Sequence, residues 1–184
     1  MTTQTTPSRS TTAKVLVPVV IGSAVAVALG VYGGLHRPAG YSVNIAGFSS
    51  TQSVKSWLAS AAALLGVVQL ISAMVMYGRI PVRAPSWIGG LHRWSGRIAV
   101  LITVPVVVHC LYALGFQTAE PRVFVHSLLG CFFYGAFTAK MLLLSRKDVP
   151  GWALPAVGGA LFTALVGLWF TSAFWFFTTV GVTF

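Results

Sequence analysis

The sequence predicts an all-α protein: an integral membrane bundle of five transmembrane helices, with the N-terminus in the cytoplasm and the C-terminus outside. Three observations predict this fold class. Apolar residues make up 56% of the 184 residues and charged residues only 8%, whereas soluble domains carry about 25% charged residues. The mean hydropathy is +0.83. Since one helical crossing takes about 20 apolar residues, the chain has room for five crossings and no separate soluble domain.

The first helix is predicted after a polar start. Residues 1–13, MTTQTTPSRSTTA, are rich in Thr and Ser and are expected to form a disordered cytoplasmic N-terminus. An apolar run follows from Val15 to Leu35. It is longer than the roughly 7–15 residues of a signal-peptide core and lacks an A-x-A cleavage site. We therefore expect a retained helix, and a single transmembrane domain over residues 14–184.

Four further apolar runs predict the remaining helices, separated by short polar turns such as GRIPVRAPS and SRKDVPG. Pro121 is expected at the start of the fourth helix, where its missing N–H costs nothing. The fifth helix ends in WFTSAFWFF, which resembles an interfacial aromatic belt. The predicted ranges are Val54–Tyr77, Ile88–Gly115, Arg122–Leu144 and Trp152–Phe177.

The strong positive charge predicts the orientation of the helices. The net charge is +10, from twelve Lys and Arg against two acids. In a soluble protein this would suggest nucleic-acid binding, but the cations flank apolar runs and no nucleic-acid-binding motif is present. Nine cations fall at one end of the predicted helices and three at the other, which by the positive-inside rule makes the first end cytoplasmic. The nine are Arg9, Lys14, Arg79, Arg83, Arg93, Arg97, Lys140, Arg146 and Lys147, and the three are Arg37, Lys55 and Arg122. We expect a multi-pass protein of a cell membrane, a bacterial plasma membrane.

Two histidines at equal depth are the strongest functional signal, because ionisable residues within a membrane are costly. His109 lies six residues before the end of the third helix and His126 five residues after Pro121. At 1.5 Å per residue both lie roughly 8–9 Å below the outer surface. Two imidazoles on neighbouring helices are typical ligands of a haem iron. Zinc is disfavoured because no acid or third His lies at that level.

Glycine spacing favours the haem interpretation. His126 is followed four residues later by Gly130, and His92 by Gly96. Residues i and i+4 share a helix face, so a glycine there leaves room for a porphyrin. His109 instead has Pro105 four residues before it, which can kink the helix. The alternative is that these histidines only hydrogen-bond to a neighbouring helix.

His92 is too far from His109 to bind the same iron, since 17 residues of helix span roughly 25 Å. A second haem at the cytoplasmic end would lack a second His and leave Met74 or Met76 as soft ligands. One haem b per chain is therefore expected, with two less favoured. His92, Arg93 and Arg97 then form a basic cluster for a lipid phosphate, a haem propionate or a quinone carbonyl.

Three further residues at the outer end are candidate contacts of the cofactor. Arg122 and Arg37 are expected to pair with haem propionates, with lipid headgroups as the alternative partner. His36 is expected at the surface, as an alternative axial ligand or a propionate contact.

Cys110 and Cys131 form no CxxC motif, and we interpret them as small buried apolar side chains.

Two segments resemble a known family. LHRWSG resembles the LHSWxG-type segment of cytochrome b561-like proteins, and FVHSLLG resembles their later VHxxxG ligand helix. The resemblance covers residues 91–137 and implies a bis-His helical bundle that passes electrons across a membrane. It implies that His92 and His126 are ligands, but the helices that would supply their partners carry only His36. Ferric-reductase-like bacterial cytochromes also have bis-His helical bundles, so the resemblance includes both groups of proteins.

The leading functional hypothesis is a membrane b-type cytochrome with one bis-His haem near the outer face, held by His109 and His126. We expect an electron-transfer subunit rather than a stand-alone enzyme, working with quinone or with other redox subunits of a respiratory assembly. The second hypothesis is a non-haem accessory or assembly subunit of a membrane complex, in which the histidines only stabilise helix packing.

Overall fold

The structure, a computed structural model, describes residues 9–41, 44 and 47–184. Every regular element in these ranges is helical, and five segments are long and apolar enough to cross a membrane. This confirms the predicted all-α class and the five crossings, while the predicted orientation stays a prediction. The elements are α1 Arg9–Leu35, α2 Thr51–Met76, α3 Ile88–Val108, π1 His109–Leu114, α4 Pro121–Leu144, α5 Ala153–Trp169, π2 Phe170–Phe174 and α6 Trp175–Thr179.

The first helix begins earlier than the sequence predicts. Residues 9–13 are helical although they were expected to be disordered, and residues 1–8 lie outside the described residues. Once a helix is nucleated, each added residue gains a hydrogen bond at little cost, so the polar segment continues the apolar helix. Pro121 occupies the first turn of α4, as predicted.

Helices α2 to α5 form a bundle, and α1 packs outside it along α4. Helix α1 approaches α4 most closely at Gly22 and Gly135, where a Cβ on either residue would overlap the carbonyl of the other. Small residues of this kind let membrane helices pack backbone to backbone. The core of the bundle consists of Ala62, Phe133, Leu161, Ala164 and Leu165.

Helices α3 and α4 stand apart within this bundle. Helix α3 packs along α2, α4 packs along α5, and α5 also contacts α2, but the backbones of α3 and α4 barely approach each other. A hydrogen bond from the Tyr134 hydroxyl to Thr103 Oγ1, at 2.8 Å, joins the two helices. The two histidines of equal predicted depth lie in α4, which carries His126, and in π1, which continues α3 and begins at His109.

Two π-helical segments interrupt helices that were predicted to be continuous. A π-helix shifts the backbone hydrogen bonds from i+4 to i+5, and it leaves carbonyls that need other partners. In π1 the N–H groups of Ala39 and Gly40 donate to the carbonyls of Tyr112 and Ala113, at 3.2 and 3.1 Å. In π2 the carbonyl of Thr171 accepts a hydrogen bond from the Arg122 side chain of α4, at 2.7 Å.

The bundle has two chemically different ends. We call the end at which α1, α3 and α5 begin the basic end, and the opposite one the far end. At the basic end, Lys14 Nζ lies 3.4 Å from the Asp148 carboxylate and ties α1 to the turn after α4. At the far end, the chain after α6 returns to α2. There the Thr183 carbonyl accepts hydrogen bonds from Ser53 Oγ at 2.6 Å and Trp57 Nε1 at 2.9 Å.

Candidate cofactor site between α3 and α4

A cavity of about 150 Å³ lies in the far half of the bundle, between α3 with π1 on one side and α4 with α5 on the other. Its walls are mostly apolar. The polar side chains among its lining residues are Thr103, Gln117, His126, Ser127, Tyr134 and Ser172. A largely apolar cavity with a few convergent polar groups is the usual form of a cofactor or ligand site.

His126 lies on the wall of this cavity and is held there by one hydrogen bond. Its Nδ1 is 2.9 Å from Thr171 Oγ1, and the Thr171 hydroxyl lies 2.7 Å from the Gly167 carbonyl, to which it donates. Because a hydroxyl has a single hydrogen, Thr171 must accept from His126, and Nδ1 carries the ring proton. A neutral His126 therefore keeps a lone pair on Nε2, the form in which histidine binds metals.

Gly130 lies one helical turn beyond His126 and also lines the cavity. A Cβ placed on it would meet only Leu168 Cδ2 within 4 Å, at 4.0 Å. The face of α4 beside His126 is therefore open toward the cavity. A flat ring lying against α4 would meet no side chain of α4 itself at this position.

His109 is buried, with 9% of its surface exposed, and begins π1. Its Nδ1 is fully enclosed and has no hydrogen-bond partner among the described residues. The ring packs edge-on against Tyr41, with 6.2 Å between ring centroids, and does not line the cavity, whereas Cys110 does. The structure therefore brings the His126 ring to the cavity but not the His109 ring, and the two do not form a ligand pair.

Arg122 and Arg37, the two arginines proposed to pair with haem propionates, lie in different surroundings. Arg122 Nη1 donates to the Thr171 carbonyl at 2.7 Å, and the guanidinium lies 3.8 Å from the ring centroid of Trp175. Its Nη2 is 3.7 Å from the Glu120 carboxylate. Arg122 is thus occupied in holding π2 to the start of α4. Arg37 is exposed at the far end.

His36 fastens the end of α1 to π1. Its ring lies between the rings of Tyr32 and Tyr112, at centroid distances of 5.1 and 4.8 Å. Its Nε2 is 3.1 Å from the Tyr112 carbonyl and donates to it. These contacts give His36 a structural role beside π1, outside the cavity lining.

At the basic end, His92 is held in the same way as His126. Its Nδ1 is 2.8 Å from Ser72 Oγ, and Ser72 donates its hydrogen to the Val68 carbonyl at 2.6 Å. Ser72 must therefore accept from the His92 Nδ1–H. Arg93 and Arg97 are exposed, and Arg97 lies 5.1 Å from the ring centroid of Trp94.

Gly96 does not leave room for a porphyrin, contrary to the interpretation of its spacing from His92. A Cβ on Gly96 would stand 2.9 Å from Gln69 Oε1, so the side chain of Gln69 fills that space. The Gln69 amide donates to the His92 carbonyl and, at 2.7 Å, to Ser95 Oγ. The glycine therefore serves a polar contact between α2 and α3.

Two residues near the cavity were missed by the sequence reasoning. Thr171 carries no local signal, because its partner His126 is 45 residues away in the chain. Lys55 carried a signal that was interpreted only as an orientation charge: a cation within an otherwise apolar helix. It is half-buried and lies four residues before Ala59, which lines the cavity.

The remaining metal-binding side chains do not assemble into a site of their own. Cys110 and Cys131 are free thiols that both line the cavity. Among the residues that the structure describes, no group of three or more His, Cys, Asp or Glu side chains is placed to hold a metal ion. The donor set at the cavity is thus imidazole and thiol, without carboxylate.

A family model described as "Family of unknown function (DUF6529)" matches residues 15–184, which is nearly the whole chain. The chain belongs to the DUF6529 family. The comparison with curated proteins and the comparison with solved structures each gave no match. Membership of DUF6529 assigns no activity to the chain.

Proposed function

We propose that this DUF6529 protein is a b-type cytochrome of a bacterial plasma membrane that binds one haem b in the cavity between α3 and α4. The observation that carries the proposal is the state of His126. Its Nδ1–H donates to Thr171, so the lone pair of the neutral ring is on Nε2, and the neighbouring face at Gly130 is open. A hydrogen bond of this kind on the non-ligating nitrogen is usual for metal-bound histidine.

The donor chemistry favours haem over a bare metal ion. Structural and catalytic zinc sites take three or four protein ligands, and the described residues offer no such group. A haem iron needs only axial ligands from the protein, because the porphyrin supplies the other donors. The apolar walls suit the porphyrin ring. The resemblance of FVHSLLG to the ligand helix of cytochrome b561-like proteins also supports His126 as a ligand.

His109 is the proposed second axial ligand. Its ring is buried with an unpaired Nδ1, and an unsatisfied buried polar atom costs about 1–3 kcal/mol, which a bond to iron would recover. The ring lies against Tyr41, so this pairing requires it to turn about its side-chain bonds. The π-helical backbone at His109 is a local irregularity of the kind often found at functional sites.

The size of the cavity sets a condition on this proposal. Its volume of about 150 Å³ is below the roughly 300–1,000 Å³ of typical ligand pockets. Haem binding therefore requires α3 and α4 to separate further. The backbones of these two helices make little direct contact, and the hydrogen bond from Tyr134 to Thr103 joins them.

When bound, haem b would supply a one-electron iron centre. The chain would hold it through His126 and His109, orient His126 through Thr171, and exclude water with the apolar walls. A single centre in the far half does not cross the bilayer, so a quinone or another redox subunit has to complete the path. His92, Arg93 and Arg97 at the basic end are the proposed contact for a quinone or lipid headgroup.

The alternative is a non-haem accessory subunit, and one observation favours it. The hydrogen bonds from His126 to Thr171 and from His92 to Ser72 each join two helices. Interhelical bonds of this kind stabilise membrane bundles without any cofactor. In that case the purified protein is colourless and His126→Ala only lowers its thermal stability.

The experiment that tests the proposal is the reduced-minus-oxidised absorption spectrum of the purified protein, compared between the wild type, His126→Ala and His92→Ala. We expect the α band of a low-spin b haem in the wild type and in His92→Ala, and its loss in His126→Ala. A wild type without haem, or a band that survives in His126→Ala, would contradict the proposed site.

A further inference from the structure

The hydroxyl groups that line the cavity between α3 and α4 donate most of their hydrogens within the protein. Thr103 Oγ1 donates to the Val100 carbonyl at 2.7 Å. Because a hydroxyl has a single hydrogen, Thr103 must accept its bond with Tyr134. Ser172 Oγ donates to the Leu168 carbonyl at 2.6 Å. The hydroxyls of these three lining residues can therefore accept further hydrogen bonds but not donate them.

The two lining rings that carry an N–H use it in the same way. Trp169 Nε1 donates to Ser60 Oγ at 2.9 Å, and His126 Nδ1 donates to Thr171 Oγ1 at 2.9 Å. The neutral His126 ring then has its lone pair on Nε2, which can only accept.

This balance of donors and acceptors selects the polar group of a ligand. A carbonyl or ether oxygen has no hydrogen for His126 Nε2, whereas a hydroxyl can donate to it. Ser127 is the exception among the lining hydroxyls, because it accepts from the backbone N–H of Gln117 at 3.3 Å and can still donate. A ligand hydroxyl both donates and accepts, so it is compatible with His126 and with Ser127.

The volume and the walls of the cavity select the rest of the ligand. The volume is about 150 Å³, and an apolar cavity of about this volume is large enough to bind benzene. None of the lining residues that the structure describes is Asp, Glu, Lys or Arg. An ionised ligand would be buried there without a partner, at high cost. The cavity therefore suits a neutral ligand with one aromatic ring.

A groove of about 400 Å³ between α1 and α4 adjoins the cavity. Phe116 and Cys131 line both spaces. The other residues of the groove, such as Val27 and Phe132, are apolar and belong to two of the membrane-spanning segments. The groove therefore leaves room for a hydrocarbon chain attached to a ring in the cavity.

We propose that the cavity, at its present volume, binds a neutral ligand of the phenol class, whose single aromatic ring carries a hydroxyl that donates to His126 Nε2. This goes beyond the proposed function, because it needs neither haem nor a separation of α3 and α4. The two occupants exclude one another, since both use Nε2 of His126.

The test uses the full chain, purified without haem in neutral detergent, and two probes of similar shape. The probes are 4-fluorophenol and 4-fluorotoluene, which differ in that only the first has a hydroxyl. Fluorine NMR titrations give both dissociation constants for the wild type, His126→Leu, Gly130→Leu and the control Gly158→Leu. Partition into the micelle is the same for every variant, so the ratio of the two constants can be compared between variants.

We expect both probes to bind to the wild type and to Gly158→Leu, and neither to bind to Gly130→Leu, whose leucine fills the cavity. In His126→Leu the preference for 4-fluorophenol should fall roughly three- to tenfold, the contribution of a typical hydrogen bond. An unchanged preference, or binding that survives in Gly130→Leu, would overturn the inference.

A second measurement needs no variant, and so it decides the matter even if His126→Leu does not fold. In the wild type, the nitrogen resonance of His126 Nε2 should move on addition of 4-fluorophenol and not of 4-fluorotoluene. An equal response to both probes would overturn the inference. If 4-fluorophenol binds to a protein that takes up no haem, the inference stands and the proposed function alone is contradicted.

The ring could come from a free phenol or from a membrane lipid, and the groove distinguishes these sources. Gly30 lines the groove and not the cavity, and a Cβ there would lie 3.8 Å from Cys131 Sγ. The third probe is 4-hexylphenol, which is measured by its displacement of 4-fluorophenol. Weaker binding of 4-hexylphenol alone to Gly30→Leu would assign the ring to a lipid, and binding equal to that of the wild type would assign it to a free phenol. If 4-hexylphenol does not displace 4-fluorophenol from the wild type, the shared site is overturned.

Discussion

Thr171 Oγ1 lies 2.9 Å from His126 Nδ1 and so joins the π-helical turn of α5 to the second turn of α4. At the basic end Ser72 lies 2.8 Å from His92 Nδ1 in the same relationship. In both pairs the hydroxyl donates to a carbonyl of its own helix, so the imidazole must donate. Both histidines are therefore held as the tautomer with a free Nε2. Only His126 lines the cavity, which is why we assign it and not His92 to the cofactor.

Replacing Thr171 by valine tests whether its hydrogen bond with His126 strengthens the binding of haem. Thr171→Val keeps the shape of the side chain and removes the acceptor. Loss of such a partner commonly costs about 10–100-fold in metal affinity, so we expect haem binding to weaken by that factor without being lost. Thr163→Val, at an exposed position of α5, is the control and should bind as the wild type does. Equal affinities in the two variants would show that Thr171 only stabilises packing.

The axial pair is tested by comparing His109→Ala with His92→Ala. If His109 is the second ligand, His109→Ala should lose the low-spin bis-His spectrum while His126 still holds some five-coordinate haem. His92→Ala should keep the low-spin spectrum, because His92 belongs to the hydrogen-bonded cluster with Ser72 at the other end. The measurement is the electron paramagnetic resonance spectrum of the oxidised protein. The opposite pattern, with haem lost from His92→Ala, would place the ligand at the basic end.

Filling the space beside Gly130 should exclude the cofactor and leave the fold intact. A leucine there would project into the cavity, since a Cβ has one neighbour within 4 Å, at 4.0 Å. We expect Gly130→Leu to be expressed and to melt at or above the temperature of the haem-free wild type, but without a haem spectrum. Gly158→Leu, where a Cβ meets nothing within 4 Å, should bind haem normally. Full haem content in Gly130→Leu would place the cofactor elsewhere.

The charge distribution predicts which end of the bundle faces the cytoplasm. In intact cells, a cysteine at Ser49 should react with a membrane-impermeant maleimide, and a cysteine at Ala84 should react only after lysis. Both positions are exposed. Wild type is the control, because Cys110 and Cys131 lie within the helices. Reversed labelling would put the cavity near the cytoplasmic face.

The five crossings were predictable because each depends only on a long local run of apolar residues. The interruptions were not, because π1 and π2 need partners from distant parts of the chain. The N–H groups of Ala39 and Gly40 satisfy π1, and Arg122 satisfies π2. Hydropathy contains no information about such pairs.

Only part of the site was predictable. The spacing of residues along a helix gives the helix face on which they lie, but not which side chains of a neighbouring helix pack against that face. The same HxxxG spacing leaves open space at Gly130 but accommodates Gln69 at Gly96. Equal depth likewise placed His109 and His126 at one level but did not give the direction of the His109 ring, which packs against Tyr41. The contact of Thr171 with His126 could not be predicted from the sequence, because it depends on how α4 and α5 pack.

Haem content tests the central claim most directly. The purified wild type, expressed with adequate haem supply, is assayed as the pyridine haemochrome and divided by the protein concentration from amino-acid analysis. We expect one haem b per chain, because the cavity between α3 and α4 is lined by a single histidine, His126. Two haems per chain would contradict the single site, and a folded protein without haem would contradict the cytochrome proposal itself.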